Sequence, residues 1–162
     1  MAIEIERKFL VKGEFKTSAI SQHIIVQGYL SSMHERSVRV RIIEKKAFIT
    51  IKGVSSSNGL SRFEWEKEIT VVEARSLLKI CEPGIIEKTR FIIPEKSGLF
   101  FEVDQFEGEN RGLIIAEIEL PNEKYEIEKP MWLGKEVTGD ERYYNVFLSA
   151  HPFSKWENKT FL

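Results

Sequence analysis

The chain has 162 residues, 42% of them hydrophobic, and its 24 basic and 25 acidic residues leave a net charge of −1. One domain spanning 1–162 with a sizeable core is expected, and no global positive field draws it to nucleic acid or to a membrane surface. A single cysteine, Cys81, excludes an internal disulfide. No apolar run approaches the roughly 20 residues of a membrane span, and with no apolar leader the cytoplasm is the expected setting.

The first element, residues 3–11 (IEIERKFLV), alternates apolar and charged residues with a period of two and is predicted to be a strand. Residues 12–22 leave room for a short helix. Further strands are predicted at about 23–31, 36–43, 46–53, 61–69, 85–93, 99–106 and 113–120, making eight in all. The turn-forming runs Ser55-Ser56-Ser57-Asn58-Gly59 and Pro94-Glu95-Lys96-Ser97-Gly98 read as hairpin loops, so neighbouring strands are expected to be antiparallel. Thr70 with Glu73 forms a capping box that opens a helix over 71–81, closed by Pro83 and Gly84. Val71, Ala74, Leu77, Leu78 and Cys81 form its apolar stripe, which makes Cys81 a packing residue. Residues 121–137 read as irregular, broken by Pro121, Pro130 and Gly134. Thr138 with Glu141 reads as a second capping box, opening a helix over 139–150. Asn158-Lys159-Thr160 matches a glycosylation sequon, which without secretion has no expected role.

A single charged, alternating strand means a wet surface. Here the pattern returns in strand after strand, and it repeats specific charges. Glu4, Glu6 and Lys8 share one face, as do Arg39 and Arg41, Thr50 and Lys52, and Arg62, Glu64 and Glu66. Lys88 pairs with Arg90, Glu102 with Asp104, and Glu117 with Glu119. The opposite faces are apolar and would be covered by helices on the outside. A sheet that curls until its charged face closes on itself is a barrel with a polar lumen, and closure removes its edges. The expected fold is therefore α+β, mainly antiparallel β: an eight-stranded, tunnel-like closed barrel with flanking helices.

Burying so many ions costs several kcal/mol each, and pairing alone often fails to recover it. A pocket for a highly charged anion and its metal ions uses them. Carboxylates without histidine or cysteine suit Mg²⁺ or Mn²⁺, and residues i and i+2 of a strand, about 6.6 Å apart, can share a metal or a close pair of metals. Arg39, Arg41, Arg62 and Arg90 can fork onto phosphate oxygens, with Lys8, Lys52 and Lys88 as compact charges. The combination implies a small-molecule polyphosphate; a nucleic-acid partner would need an outward basic patch. Tyr29 shares a face with Gln27. Beside Lys88 it would acquire a lowered pKa and assist water activation; packing is its other reading.

These residues resemble the ExExK signature of the CYTH, or triphosphate tunnel metalloenzyme, superfamily. The resemblance runs through Gln27-Gly28-Tyr29-Leu30, Arg39-Val40-Arg41, Thr50-Ile51-Lys52, Arg62 to Glu66, Lys88-Thr89-Arg90, Glu102-Val103-Asp104, Ala116 to Leu120 and Trp132 to Thr138. It implies an eight-stranded tunnel acting on triphosphates with divalent metal held by Glu4, Glu6, Glu117 and Glu119, with Asp104 and Glu66 as further candidates. The opening EIERKFLV and the short length look most like short bacterial members that cleave tripolyphosphate to diphosphate and phosphate. A thiamine triphosphatase, a class IV adenylate cyclase and a silent polyphosphate-binding module are the alternatives. The resemblance also implies a homodimer.

Overall fold

The computed structural model describes residues 3–157, and the sequon at Asn158 lies outside them. The strands are β1 (Ile3–Val11), β2 (Ser21–Ser31), β3 (Arg36–Ile43), β4 (Lys46–Ser55), β5 (Ser61–Ile69), β6 (Ile86–Pro94), β7 (Phe100–Phe106), β8 (Ile114–Glu119) and β9 (Leu133–Glu136); the helices are α1 (Val71–Leu78) and α2 (Asn145–Ala150). The sheet runs β5-β4-β3-β2-β6-β7-β8-β1-β9, and a further β5–β1 pairing closes eight antiparallel strands into the expected barrel.

β1 carries the closure. One edge pairs with β8 from Glu6 to Leu10, while the other pairs with β5 over Ile3–Ile5 and with β9 at Phe9 and Val11. β9 is a correction to the irregular reading of 121–137. Once β5 turns away, the end of β1 is left with free backbone groups, and Leu133–Glu136 supplies partners for them. Gly134 permits this approach, because a Cβ there would sit 2.9 Å from the Leu10 carbonyl oxygen.

Alternation places each apolar set outside. Over β1 and β6–β8 the outer core comprises Phe9, Phe91, Phe101, Val103, Ala116 and Ile118, covered by Phe15 and Trp132. Phe101 and Trp132 meet edge to face with centroids 5.1 Å apart, a packing that irregular segments can supply as well as a helix. α1 lies over β2–β4, its Ala74 meeting Val40 and Ala47 with half-buried Cys81 at the margin. The Thr70–Glu73 capping box forms, but the helix ends at Leu78, where hydrogen bonds from Ile80 to Leu77 and from Cys81 to Leu78 tighten its last turn. The expectation of helices covering every outer face is corrected at β5, where Phe63 and Trp65 stay exposed.

The second capping box does not form. The Thr138 hydroxyl instead accepts from the Lys8 backbone N–H (2.9 Å) and donates to Glu136 (2.6 Å), binding this segment to the barrel. Asp140 caps a short 3-10 turn, and α2 starts only at Asn145. In place of the short helix expected over 12–22 there is the 3-10 turn Lys16–Ser18, and β2 already begins at Ser21. Among the described residues no helix is long and apolar enough to cross a membrane.

Candidate active site

Lumen-facing positions turn apolar at one end of the barrel. Leu10, Ile86, Phe106 and Ile115 continue the charged faces that carry Lys8, Lys88, Asp104 and Glu117, and they pack with Leu113, Tyr143 and Leu148 as a plug. The charged remainder forms two connected cavities. An outer one of about 400 Å³ is lined by Glu4, Glu6, Glu64, Glu66, Glu102, Glu117 and Glu119 against Arg39, Arg41, Lys52 and Arg90. An inner one of about 70 Å³ is lined by Lys8, Arg39, Lys52, Arg62, Lys88 and Arg90 against Glu4, Glu6 and Glu117, with Tyr29, Tyr144 and Asn145. The lumen is thus acidic at its mouth and basic within, and Glu4, Glu6 and Glu117 belong to both parts.

Strand register creates this division. Lys52 lies beside Glu64 and Thr50 beside Glu66, so that β4 and β5 present alternating charge. A bulge between Lys52 and Ser55 sets Ser55 opposite Arg62. The Arg62 guanidinium is then held by the carbonyl oxygens of Gly53 (2.7 Å) and His34 (3.1 Å) instead of a carboxylate. Its charge stays uncompensated by any ion pair among the described residues and adds to the inner field.

The carboxylates fall into two groups. Asp104 is fully committed: Arg90 grips it through Nε (2.7 Å) and Nη2 (2.9 Å), and Lys88 Nζ lies 2.7 Å away. Arg90 also donates to Glu102 at 2.8 Å. Although burial works against it, the charge of Arg90 and then that of Lys88 hold the Asp104 carboxyl well below the usual range. Glu66 accepts from the Thr50 hydroxyl at 2.7 Å and lies 3.7 Å from Arg39 and 3.9 Å from Arg41. Geometry therefore sets Asp104 apart as a structural counter-ion, absent from the lining of both cavities.

Glu4, Glu6, Glu64 and Glu119 crowd one another, while Glu117, which lies beside Glu6, is itself held down against burial by the charge of Lys8, whose Nζ is 3.4 Å away. Burial, with the nearby charges of Glu117 and Glu4, pushes Glu6 up to about 8. Burial also raises Glu64, to about 8, aided by its hydrogen bond with Glu4; Glu4 itself is held down by that bond and by Lys52 at 2.9 Å. Burial and the charges of Glu4 and Glu102 raise Glu119 as well. Among the described residues no three carboxylate, histidine or cysteine side chains are drawn together as a formed metal site. The donor chemistry nevertheless fits a hard divalent cation, which would replace protons that mutual repulsion forces onto these oxygens.

The inner lysines are anchored from outside the strands. Lys8 Nζ donates to the Tyr143 carbonyl (3.2 Å) and sits over the Tyr144 ring at 4.8 Å. Lys88 Nζ donates to Asn145 Oδ1 at 2.8 Å. Sequence reading missed Tyr144 and Asn145 because it assigned them to the interior of a surface helix; the displaced start of α2 is what turns them inward. Tyr29 is a correction. Burial pushes its hydroxyl up, against the opposing charges of Arg39 and Lys8. Its ring packs with the apolar plug, and its hydroxyl meets Gln27 Nε2 at 3.4 Å. In the register Ile25, not Tyr29, is opposite Lys88, which sets the two backbones four strand positions apart, and Gln27 and Asn145 stand between the hydroxyl and the ammonium. Among the described residues three buried side-chain polar atoms have no hydrogen-bond partner: Arg39 Nε, Arg41 Nε and Gln27 Oε1. All three lie on the paired strands β2 and β3, and two are donors suited to an anion.

A closed antiparallel barrel that turns paired acids and bases inward, divided along its length by sign, is a charged tunnel built for an anion together with cations. The chain belongs to the CYTH domain family, whose sequence profile matches residues 2–144. It is 45% identical over 158 residues to an inorganic triphosphatase of Acetivibrio thermocellus, covering 97% of this chain and 99% of that one. It is 36% identical over 150 residues to an inorganic triphosphatase of Nitrosomonas europaea, covering 90% and 96%. Its fold is similar to the crystal structure of the inorganic triphosphatase NE1496, with a TM-score of 0.65 and 32% identity over 90% of this chain and 97% of that chain.

Proposed function

We infer that this chain hydrolyses inorganic triphosphate to diphosphate and phosphate with the help of Mg²⁺ or Mn²⁺. The observation that carries the reading is the division of the lumen into an acidic mouth and a basic inner chamber; the two curated relatives named inorganic triphosphatase support it. Glu4, Glu6, Glu117 and Glu119, joined by Glu64, are the residues that would hold metal. When bound, the cation supplies charge neutralisation and lowers the pKa of a bound water.

This chain's own residues position and neutralise the substrate, which is most of what phosphoryl transfer requires. Lys8, Lys88 and Arg62 take the inner end of the triphosphate, with Arg39, Lys52 and Arg90 at the waist and Arg41 nearer the mouth. The free Nε donors of Arg39 and Arg41 support anion binding along β3. Tyr29, kept protonated, serves as a donor to phosphate oxygen instead of a base. A monophosphate would leave most of these cations unmatched. The whole chain 1–162 acts as one domain, and its lone cysteine suits a reducing cytoplasm. A homodimer is the proposed assembly, supported by the exposed Phe63 and Trp65 on β5, and light scattering would measure it.

The test supplies tripolyphosphate, ATP and thiamine triphosphate with each metal and identifies the products. Release of phosphate and diphosphate from tripolyphosphate is expected. Cyclic AMP from ATP would point to a cyclase, and binding without turnover to a polyphosphate-binding module. Glu4→Gln should abolish metal-dependent turnover while circular dichroism reports an intact barrel; near-normal activity would remove Glu4 from the metal ligands.

A further inference from the structure

Asn145 sits at the first position of α2, outside the charged strands, yet its side chain reaches the inner chamber. Its hydrogen-bond partners fix which way its amide points. An ammonium only donates, so the atom 2.8 Å from Lys88 Nζ must be the carbonyl oxygen Oδ1. The same oxygen accepts from Gln27 Nε2 at 3.3 Å. Oδ1 is thereby held by two donors from two strands, and the orientation is not open to a flip. The amide nitrogen Nδ2 is left making no hydrogen bond among the described residues, at the edge of a chamber that Lys8, Arg62 and Lys88 make strongly positive. A neutral two-proton donor fixed among cations, with its acceptor atom turned away, is suited to an oxygen of a phosphoryl group.

We propose that Asn145 is a substrate-contacting residue whose Nδ2 donates to the innermost phosphoryl group of the triphosphate, while its Oδ1 is locked by Lys88 and Gln27. The proposal rests on the triphosphatase reading and deepens it by adding a neutral contact to an otherwise ionic subsite. Lysine and arginine attract any anion, whereas a directional amide donor at the innermost position requires an oxygen at a set place.

The change Asn145→Ala, made alone and in a Lys88→Met background, separates this role from that of a simple anchor for Lys88. If Asn145 only positioned Lys88, Asn145→Ala would cost nothing further once Lys88→Met is in place. If Nδ2 contacts the phosphoryl group, Asn145→Ala should weaken triphosphate binding about tenfold in both backgrounds. Affinity for inorganic triphosphate would be measured by calorimetry with divalent metal chelated, and as KM with Mg²⁺ present, alongside thermal unfolding of each variant. No further loss from Asn145→Ala in the Lys88→Met background overturns the proposal. In the unsubstituted protein, the side-chain NH₂ resonances of Asn145 should shift on adding triphosphate, a readout that does not depend on any variant folding; their failure to move while triphosphate binds overturns this inference alone. Failure of the unsubstituted protein to bind triphosphate both with metal chelated and with Mg²⁺ present overturns the functional reading, and this inference with it.

Discussion

At the scale of single residues, the site is a set of ionic groups whose environments differ although their sequence motifs look alike. Asp104 and Glu117 both occupy i, i+2 pairs, yet one is gripped by Arg90 and the other opens onto both cavities. Alternation made the lumen-facing set legible, because period two alone decides the face; which carboxylate pairs with which base depends on register across strands far apart in sequence. Removing the buried partner of Asp104 should be costly: Arg90→Met is expected to destabilise by about 3–5 kcal/mol in chemical denaturation. Arg7→Met, which breaks a bidentate pair with Glu136 on the outer surface, should cost less than about 1 kcal/mol. Lys88 carries a pH dependence. Burial pushes its ammonium down to about 8, against the pull of Asp104 and with Arg90 and Glu117 also facing it. As pH rises through 8 the charge is lost, so the KM for triphosphate should rise above that value in a steady-state pH profile, while Lys88→Arg holds it flat to about pH 9. Stability moves the other way. Between pH 8 and the ordinary lysine value near 10.4 the unfolded chain binds more protons at this position, so the contribution of Lys88 to stability increases with pH over that window.

At the scale of elements, the strands were legible and the segments that complete the site were not. The eight barrel strands announce themselves through alternation and turn residues. β9 has only four residues, and what makes it a strand is the vacant edge of β1, a tertiary circumstance absent from its own composition. Thr138 likewise satisfies a capping pattern locally but finds a better donor in the Lys8 backbone. These two departures carry Tyr144 and Asn145 into the lumen. The position of α2 also depends on Gly84, whose φ of 101° favours glycine and whose carbonyl oxygen accepts from the Ser149 hydroxyl at 2.5 Å. A Cβ there would run into the Ser149 carbonyl. Gly84→Ala should therefore displace α2, seen as faster amide exchange over 145–150 with exchange in β6–β8 unchanged, together with weaker triphosphate binding.

At the scale of the whole molecule, the two signs of charge in one lumen make the anion and the cation mutual partners. Each neutralises the field the other meets, so Mg²⁺ and tripolyphosphate together should raise the melting temperature by more than the sum of their separate shifts, one ligand at a hundredfold excess over its dissociation constant stabilising by about 2.7 kcal/mol. Shifts that merely add would argue that the two do not share the lumen. The closure through β1 has a consequence for how the protein is made. Glu4, Glu6 and Lys8 are synthesised before every other strand of the barrel, but their strand cannot settle until β8 and β9 have been synthesised to flank it. Pairings of such sequence separation form slowly. The nascent chain therefore carries β1 unpartnered along one edge until residues 114–136 have followed it, and the last seam to zip is the one that sets Glu6 and Lys8 beside Glu119 and Glu117.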